Sequence, residues 1–207
     1  MNPLSIKMLA AVFVLSLAGA CTILPQSEPV QLLDPGIAAP DPGGESADWS
    51  LNVARPESDP IRDSNRVLVR TGQSRLQVHA SARWTAAAPE LVRTLLVRHL
   101  RDAGSLDQVS TGASGLDRTL VLDLRRFELH DPGTGQLAAE IRLEARLYDS
   151  RSAALVVRRL FEAREPVDDS GPAEIVRGFE ATLGAIIPTV AAWAIEQGSL
   201  ADQSDEG

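Results

Sequence analysis

Apolar and polar residues alternate along several stretches of the chain, and a period of two predicts strands. Leu51 and Val53 alternate after Trp49, and Arg55-Pro56 ends that stretch. Val67 and Val69 make a second, and Leu76, Val78 and Ala80 a third, joined through Thr71-Gly72. A short piece at residues 106–109 is a further candidate. The run over residues 119–129 carries Leu120, Leu122 and Leu124 on one parity, then Phe127 and Leu129 on the other. A bulge near Arg125-Arg126 is expected to restore its register. Beyond the turn Asp131-Pro132-Gly133-Thr134-Gly135, residues Ile141, Leu143, Ala145 and Leu147 share one face. Glu140, Arg142, Glu144 and Arg146 make the other, which is expected to be solvated. Asp149-Ser150-Arg151-Ser152 turns into a last strand over residues 153–163. Three long strands joined by tight turns predict an antiparallel meander.

Two stretches change to the helical period. Ala88-Pro89 opens the first, with proline at a tolerated first-turn position. Leu91, Val92, Leu95, Leu96 and Leu100 fall on one side, Arg93, Arg98 and Arg101 on the other, and Gly104 closes it. The second begins near Pro172 with Ile175, Val176, Phe179, Leu183, Ile186, Ile187, Val190 and Trp193 as its apolar stripe. Pro188 is expected to kink or divide it, and Gly198 to end it before an acidic tail. The predicted class is α+β: an antiparallel sheet with two amphipathic helices packed on one face. Its limits are residues 49–198, with residues 199–207 as the tail.

What precedes residue 49 has neither period. Residues 22–48 hold Pro25, Pro29, Pro35, Pro40 and Pro42, five acidic residues and no basic one. That composition predicts a disordered tether, residues 21–48 counting its first residue, with a reach of ~80 Å at about 3.1 Å per residue. Residues 1–20 have the layout of an export signal: Lys7, an apolar run over residues 8–17, then Ala18-Gly19-Ala20 before Cys21. The run is shorter than the roughly 20 residues needed to cross a bilayer. The tetrapeptide Ala18-Gly19-Ala20-Cys21 resembles the lipobox cut by the lipoprotein signal peptidase, although the preferred leucine stands one place early, at Leu17. Cleavage is therefore expected between Ala20 and Cys21, with a diacylglycerol and an N-acyl chain on Cys21, whose thiol alone in the chain can form the thioether. Thr22, in place of aspartate, favours the periplasmic face of the outer membrane.

Charge and chemistry remove classes of function rather than adding one. The formal charge is −8, and −9 without Lys7, the one charged residue of the leader. An acidic domain is a poor ligand for nucleic acid, whose phosphates need Lys and Arg. His79, His99 and His130 stand in separate elements without metal-ligand spacing, so no metal site is predicted. No Gly-x-Ser-x-Gly elbow or phosphate-cradling glycine loop occurs, so no catalytic residue is assigned. Asp48, Asp123 and Glu128 are the carboxylates that a fold might pair, but any acidic surface offers such sets. Trp49, Trp84 and Trp193 read as core or rim packing, and Arg125 and Arg126 as surface residues. Ligand-binding residues stay unassigned, and no cofactor is expected besides the acyl chains.

The ordered set of motifs resembles the ABC-type transport auxiliary lipoproteins. It runs from Cys21 through Leu51-Asn52-Val53-Ala54-Arg55-Pro56, Arg66-Val67-Leu68-Val69-Arg70 and Ala82-Arg83-Trp84 with Pro89. Leu100 to Gly104 and Leu122-Asp123-Leu124-Arg125-Arg126-Phe127-Glu128 follow; Phe179, Ala181-Thr182-Leu183 and Ala192-Trp193-Ala194 close it. Pro188 departs from the unbroken helix expected there. The resemblance implies a non-enzymatic subunit of an Mce-type lipid transport system. Such a subunit docks the periplasm-spanning component at the outer membrane and associates with itself. The rival reading is a carrier that holds a lipid in an apolar cavity between sheet and helices.

Overall fold

One strand organises the molecule. The computed structural model describes residues 29–41, 46–112 and 115–205, and in it the long alternating run forms β7 (Arg118–Asp131). Along one side β7 pairs antiparallel with β8 (Leu137–Asp149) from Arg118↔Asp149 to His130↔Ala138, and β8 pairs in turn with β9 (Leu155–Val167). Along its other side three strands follow one another, all parallel to it. Leu51 of β2 (Ala47–Val53) stands beside Arg118, Glu57 of β3 (Glu57–Ser58) beside Asp123, and Leu68 of β4 (Arg66–Thr71) beside Glu128.

The sheet widens at each end of that line. β4 forms a hairpin with β5 (Arg75–Trp84), and β1 (Gln31–Leu33) pairs parallel with the end of β5. At the other end β6 (Leu106–Ser110) pairs parallel with β2. The α+β class stands, and β7–β9 form the expected meander, but the sheet is mixed rather than antiparallel throughout. Alternation reports which face a side chain takes and carries no information on strand direction. Parallel neighbours need a long connection, and the segment from β5 through α1 (Ala88–Ala103) and β6 supplies it.

The register of β7 shifts between Leu124 and Arg126. This bulge lets Leu120, Leu122, Leu124, Phe127 and Leu129 all enter one core, each no more than 1% exposed. Both helices lie on that face. α1 buries Leu91, Leu96 and Leu100, and α2 (Pro172–Asp205) buries Phe179, Leu183, Ile187 and Val190. α1 starts on an extended Ala87 with proline in its first turn and ends where Gly104 turns left-handed at φ 63°. At the centre Trp84, Phe127 and Phe179 touch one another, with ring centroids 4.7 to 5.4 Å apart.

Two expectations about α2 are corrected. Pro188 does not divide it, and the helix continues past Gly198 to Asp205, so residues 199–205 are helical rather than tail. The carbonyl that Pro188 leaves without its helical donor belongs to Gly184, on the exposed side of the helix. Gly198 is present for space. A Cβ there would lie 2.2 Å from Cζ2 of Trp49, whose indole rests on the helix and donates from Nε1 to Ser199 Oγ at 3.2 Å.

This contrast predicts opposite effects of one substitution. Gly198→Ala should destabilise the domain by about 1–3 kcal/mol by driving Trp49 off the helix. Gly184→Ala, whose Cβ would meet nothing within 4 Å, should stabilise by about 0.5–1 kcal/mol. Urea titrations of both variants check the sign of each.

Candidate functional site

Of the N-terminal arm, residues 29–41 are described. The predicted signal peptide, the Ala20–Cys21 cleavage site and the lipidated Cys21 lie outside the described residues. Residues 29–41, expected as part of a free tether, instead lie on the domain. Leu33 is buried beside Trp84, its carbonyl accepts from the Thr85 amide at 3.0 Å, and Thr85 Oγ1 donates to Asp34 at 2.7 Å. Farther on, the Gly36 amide donates to Glu180 on α2 at 3.2 Å, and Ile37 packs against the core. The prolines and acidic residues masked these few apolar anchors, which supply the burial that composition alone denied to the segment. Seven residues then separate Cys21 from Pro29, and the eight steps between them span at most about 29 Å. Beside that exit Val30 and Leu32 are 52% and 68% exposed.

The second feature is the sheet face away from the helices. It was expected to be solvated, yet Glu128 is fully buried and Glu140 is 2% exposed. They stand directly opposite each other on β7 and β8, a like-charge pair that is unfavourable alone. Each is neutralised by separate cations. Glu128 accepts from Arg62 Nη2 at 2.6 Å and from Arg70 Nε, and Glu140 accepts from Arg126 and stands 3.3 Å from His130 Nδ1. Arg62 comes from the β3–β4 connection, where it also pairs with Asp59, and it is itself buried. Its contact places a lid of loop over the sheet face, which is why a residue that alternation points outward is buried. The carboxylate of Glu128 adds a hydrogen bond that raises the pKa of the Arg70 guanidinium.

The ion pairs continue along the face. Arg125, at the bulge, donates to Asp123 at 2.9 Å and to Glu144 at 2.7 Å, and Arg146 donates to Glu57 at 2.5 Å. At the end of β7 the buried Arg118 joins Asp149 at 2.5 Å and Asp202 of α2. Nearby, Asp117 accepts from the Ser50 hydroxyl at 2.7 Å and from its amide at 3.0 Å, which holds its carboxyl below the usual range. Sequence reasoning missed Arg62, Arg70, Arg118 and the Ser50–Asp117 clasp. Each joins segments far apart in the chain, and no local pattern signals such a partner.

Most of these groups pair with one another, which limits their chemistry, while Arg62 Nε and Arg118 Nε are buried without a hydrogen-bond partner among the described residues. Asp48, Asp123 and Glu128 are not brought together: Asp123 belongs to Arg125, Glu128 to Arg62 and Arg70, and Asp48 lies at the rim near Trp49. The histidines also stay apart. His79 meets the Ser170 carbonyl at 2.9 Å, burial pushes His99 below its ordinary pKa, and His130 faces Glu140. Among the described residues no three His, Cys, Asp or Glu side chains group as metal ligands. Trp84 is core, Trp49 seals α2 against β2, and Trp193 packs edge-on to Phe161 at 5.4 Å.

Two surface depressions lie at the rim of the sheet. One of about 570 Å³ lies between Gln136 and Arg164, and one of about 500 Å³ beside Asp48 and Asp117. The space between sheet and helices is occupied by the Trp84, Phe127 and Phe179 rings and their aliphatic neighbours.

A family model described as the ABC-type transport auxiliary lipoprotein component matches residues 31–191. Among solved structures, a Xanthomonas campestris protein assigned to the family-model DUF330 shares 29% identity at a TM-score of 0.77. That match covers 84% of this chain and 99% of the other. A hypothetical protein of Chlamydia trachomatis shares the fold alone, at 6% identity and a TM-score of 0.55 over 73% of this chain and 98% of its own. No curated protein sequence matches the chain.

The buried pair on the charged face generates a test. Arg62→Met should cost about 2–4 kcal/mol, because Glu128 stays buried with half its compensation removed. Arg125→Met breaks two exposed pairs and should lower stability far less. Thermal unfolding of the two variants against the parent measures the difference.

Proposed function

The chain belongs to the ABC-type transport auxiliary lipoprotein family, and from that premise we propose that it is a non-enzymatic docking subunit of an Mce-type lipid transport system. It is anchored through acylated Cys21 to the periplasmic face of the outer membrane, where it receives the periplasmic substrate-binding component. The observation that carries this reading is the extent of the family match, which runs from β1 into the middle of α2.

The physical features agree with a docking part. The carboxylates and guanidiniums of its charged face are largely spent on one another. The arm lies on the domain, so an anchor at Cys21 holds the domain within about 29 Å of the bilayer instead of letting it range across the periplasm. The carrier reading requires an apolar cavity between sheet and helices, and the aromatic cluster fills that space.

Two outcomes follow. Cys21→Ala should move the protein from the membrane to the soluble periplasmic fraction with its thermal transition unchanged; retention in the membrane would remove the anchor from the account. Crosslinking in cells, followed by mass spectrometry of what the tagged chain retains, should recover an Mce-type periplasmic protein. Recovery of no transport component from a well-expressed chain would sink the docking role.

A further inference from the structure

Two arginines stand side by side at the β1 end of the sheet with no carboxylate between them. Arg83 of β5 pairs with Arg66 of β4 on one side and with Leu32 of β1 on the other, so the three form one row across the sheet. The row points away from the helices, because the flanking Leu33, Val67, Ala82 and Trp84 are all buried in the core. Like charges directly opposed on two strands repel. Glu128 and Glu140 are such a pair on the same face, and Arg62, Arg70 and Arg126 compensate them. Arg66 and Arg83 have no such compensation. Arg83 donates from Nη1 to the carbonyls of His79 at 2.6 Å and Ala82 at 2.7 Å, Arg66 is exposed, and neither meets a carboxylate among the described residues. The carboxylate next along the arm, Asp34, accepts from Thr85 instead. Leu32 and Val30, beside the two cations, are exposed apolar side chains. Val78, opposite Leu68 on the same face, is a third, farther along β5.

We propose that this corner rests on the anionic surface of the bilayer that holds the chain, with Arg66 and Arg83 on lipid phosphates and Leu32 and Val30 at the headgroup boundary. The inference rests on the anchor at Cys21 proposed above and adds which face of the domain meets the membrane. Chemistry favours a lipid surface over other occupants. Two adjacent guanidiniums call for anions, and the apolar side chains beside them call for an apolar layer; a phospholipid surface presents both together. A free phosphate would leave Leu32 and Val30 in water. Reach favours it as well. Nine steps of chain separate Val30 from Cys21 and span at most about 32 Å, so the patch lies at the anchored corner of the domain. A patch this small binds weakly alone, but the anchor makes the contact intramolecular, at an effective concentration on the order of millimolar. The rest of the chain, at a net charge of −8 overall, is repelled by the same surface, which sharpens the orientation. The strand order β1-β5-β4-β7-β8-β9 then sets β9 five spacings from β1, roughly 24 Å, on the side away from the bilayer.

The test uses the full-length acylated chain, extracted in a mild detergent and reconstituted into vesicles of phosphatidylethanolamine and phosphatidylglycerol. Leu32→Cys and Glu162→Cys each carry an environment-sensitive dye. The parent is the blank, since Cys21 is the one native cysteine and its thiol is held in the thioether. The chain should float with the vesicles. The dye at Leu32→Cys should then be quenched by lipids carrying a nitroxide near the headgroup, and the dye at Glu162→Cys, on the far edge, should not. Arg66→Gln with Arg83→Gln should lower the ratio of seated to free domain roughly tenfold or more, at about fivefold per arginine. Arg66→Gln alone, at an exposed position, should lower it about fivefold with the thermal transition unaltered. Arg158→Gln with Arg164→Gln, the same charge change on β9, should leave it unchanged. A floating chain whose Leu32→Cys dye stays in water, equal quenching at both sites, or indifference to Arg66 and Arg83 would overturn the contact and leave the anchor standing. A dye shielded in native membranes but not in these vesicles would give the face to a protein and overturn the contact too. A chain that does not float would remove the anchor, and this contact with it.

Discussion

β7 is the constraint on which the fold depends, because it is paired along nearly all of one side and at its start, middle and end on the other. β8 takes one side, and β2, β3 and β4 share the other end to end. A strand held on both edges has no freedom to slip, and a one-residue slip would turn its core row to the outside. Its own apolar pattern changes parity midway, so the bulge at Arg125 is required to keep Leu120 and Leu129 in one core. α2 then has a continuous surface to cross, with Phe179 closing on Trp84 and Phe127.

The same constraint explains the buried charges. Glu128 and Glu140 face each other because β7 and β8 are in register there, and burial of two adjacent carboxylates demands cations from elsewhere. Arg62 and Arg70 arrive from the parallel side and Arg126 from β7 itself, so each buried carboxylate ties two segments together. Pairs of this kind add little net stability relative to apolar residues, but removing one partner is costly. Their effect is to fix the β3–β4 connection over the sheet face.

The meander, the bulge and both apolar helix faces were legible in the sequence, since each follows from local periodicity. Strand direction was not, because β2, β3 and β4 alternate identically whichever way they run. The arm was misjudged because its five prolines outweighed Leu33 and Ile37, two residues whose burial depends on a distant β5 and core. Pro188 and Gly198 were read as helix breakers, and both meanings were set by surroundings: an exposed carbonyl at Gly184 and the indole of Trp49. Of the candidate site, the charged face was unreadable, since Arg62 and Glu128 stand far apart in the chain and only the fold introduces them.

The filled core separates the proposed docking role from a lipid-carrying one. Native mass spectrometry of the full-length chain released from membranes in a mild detergent tests that separation most directly. The account predicts masses equal to whole multiples of the chain acylated at Cys21, with no further lipid retained. A non-covalently held lipid at one per chain, surviving release from the micelle, would contradict it.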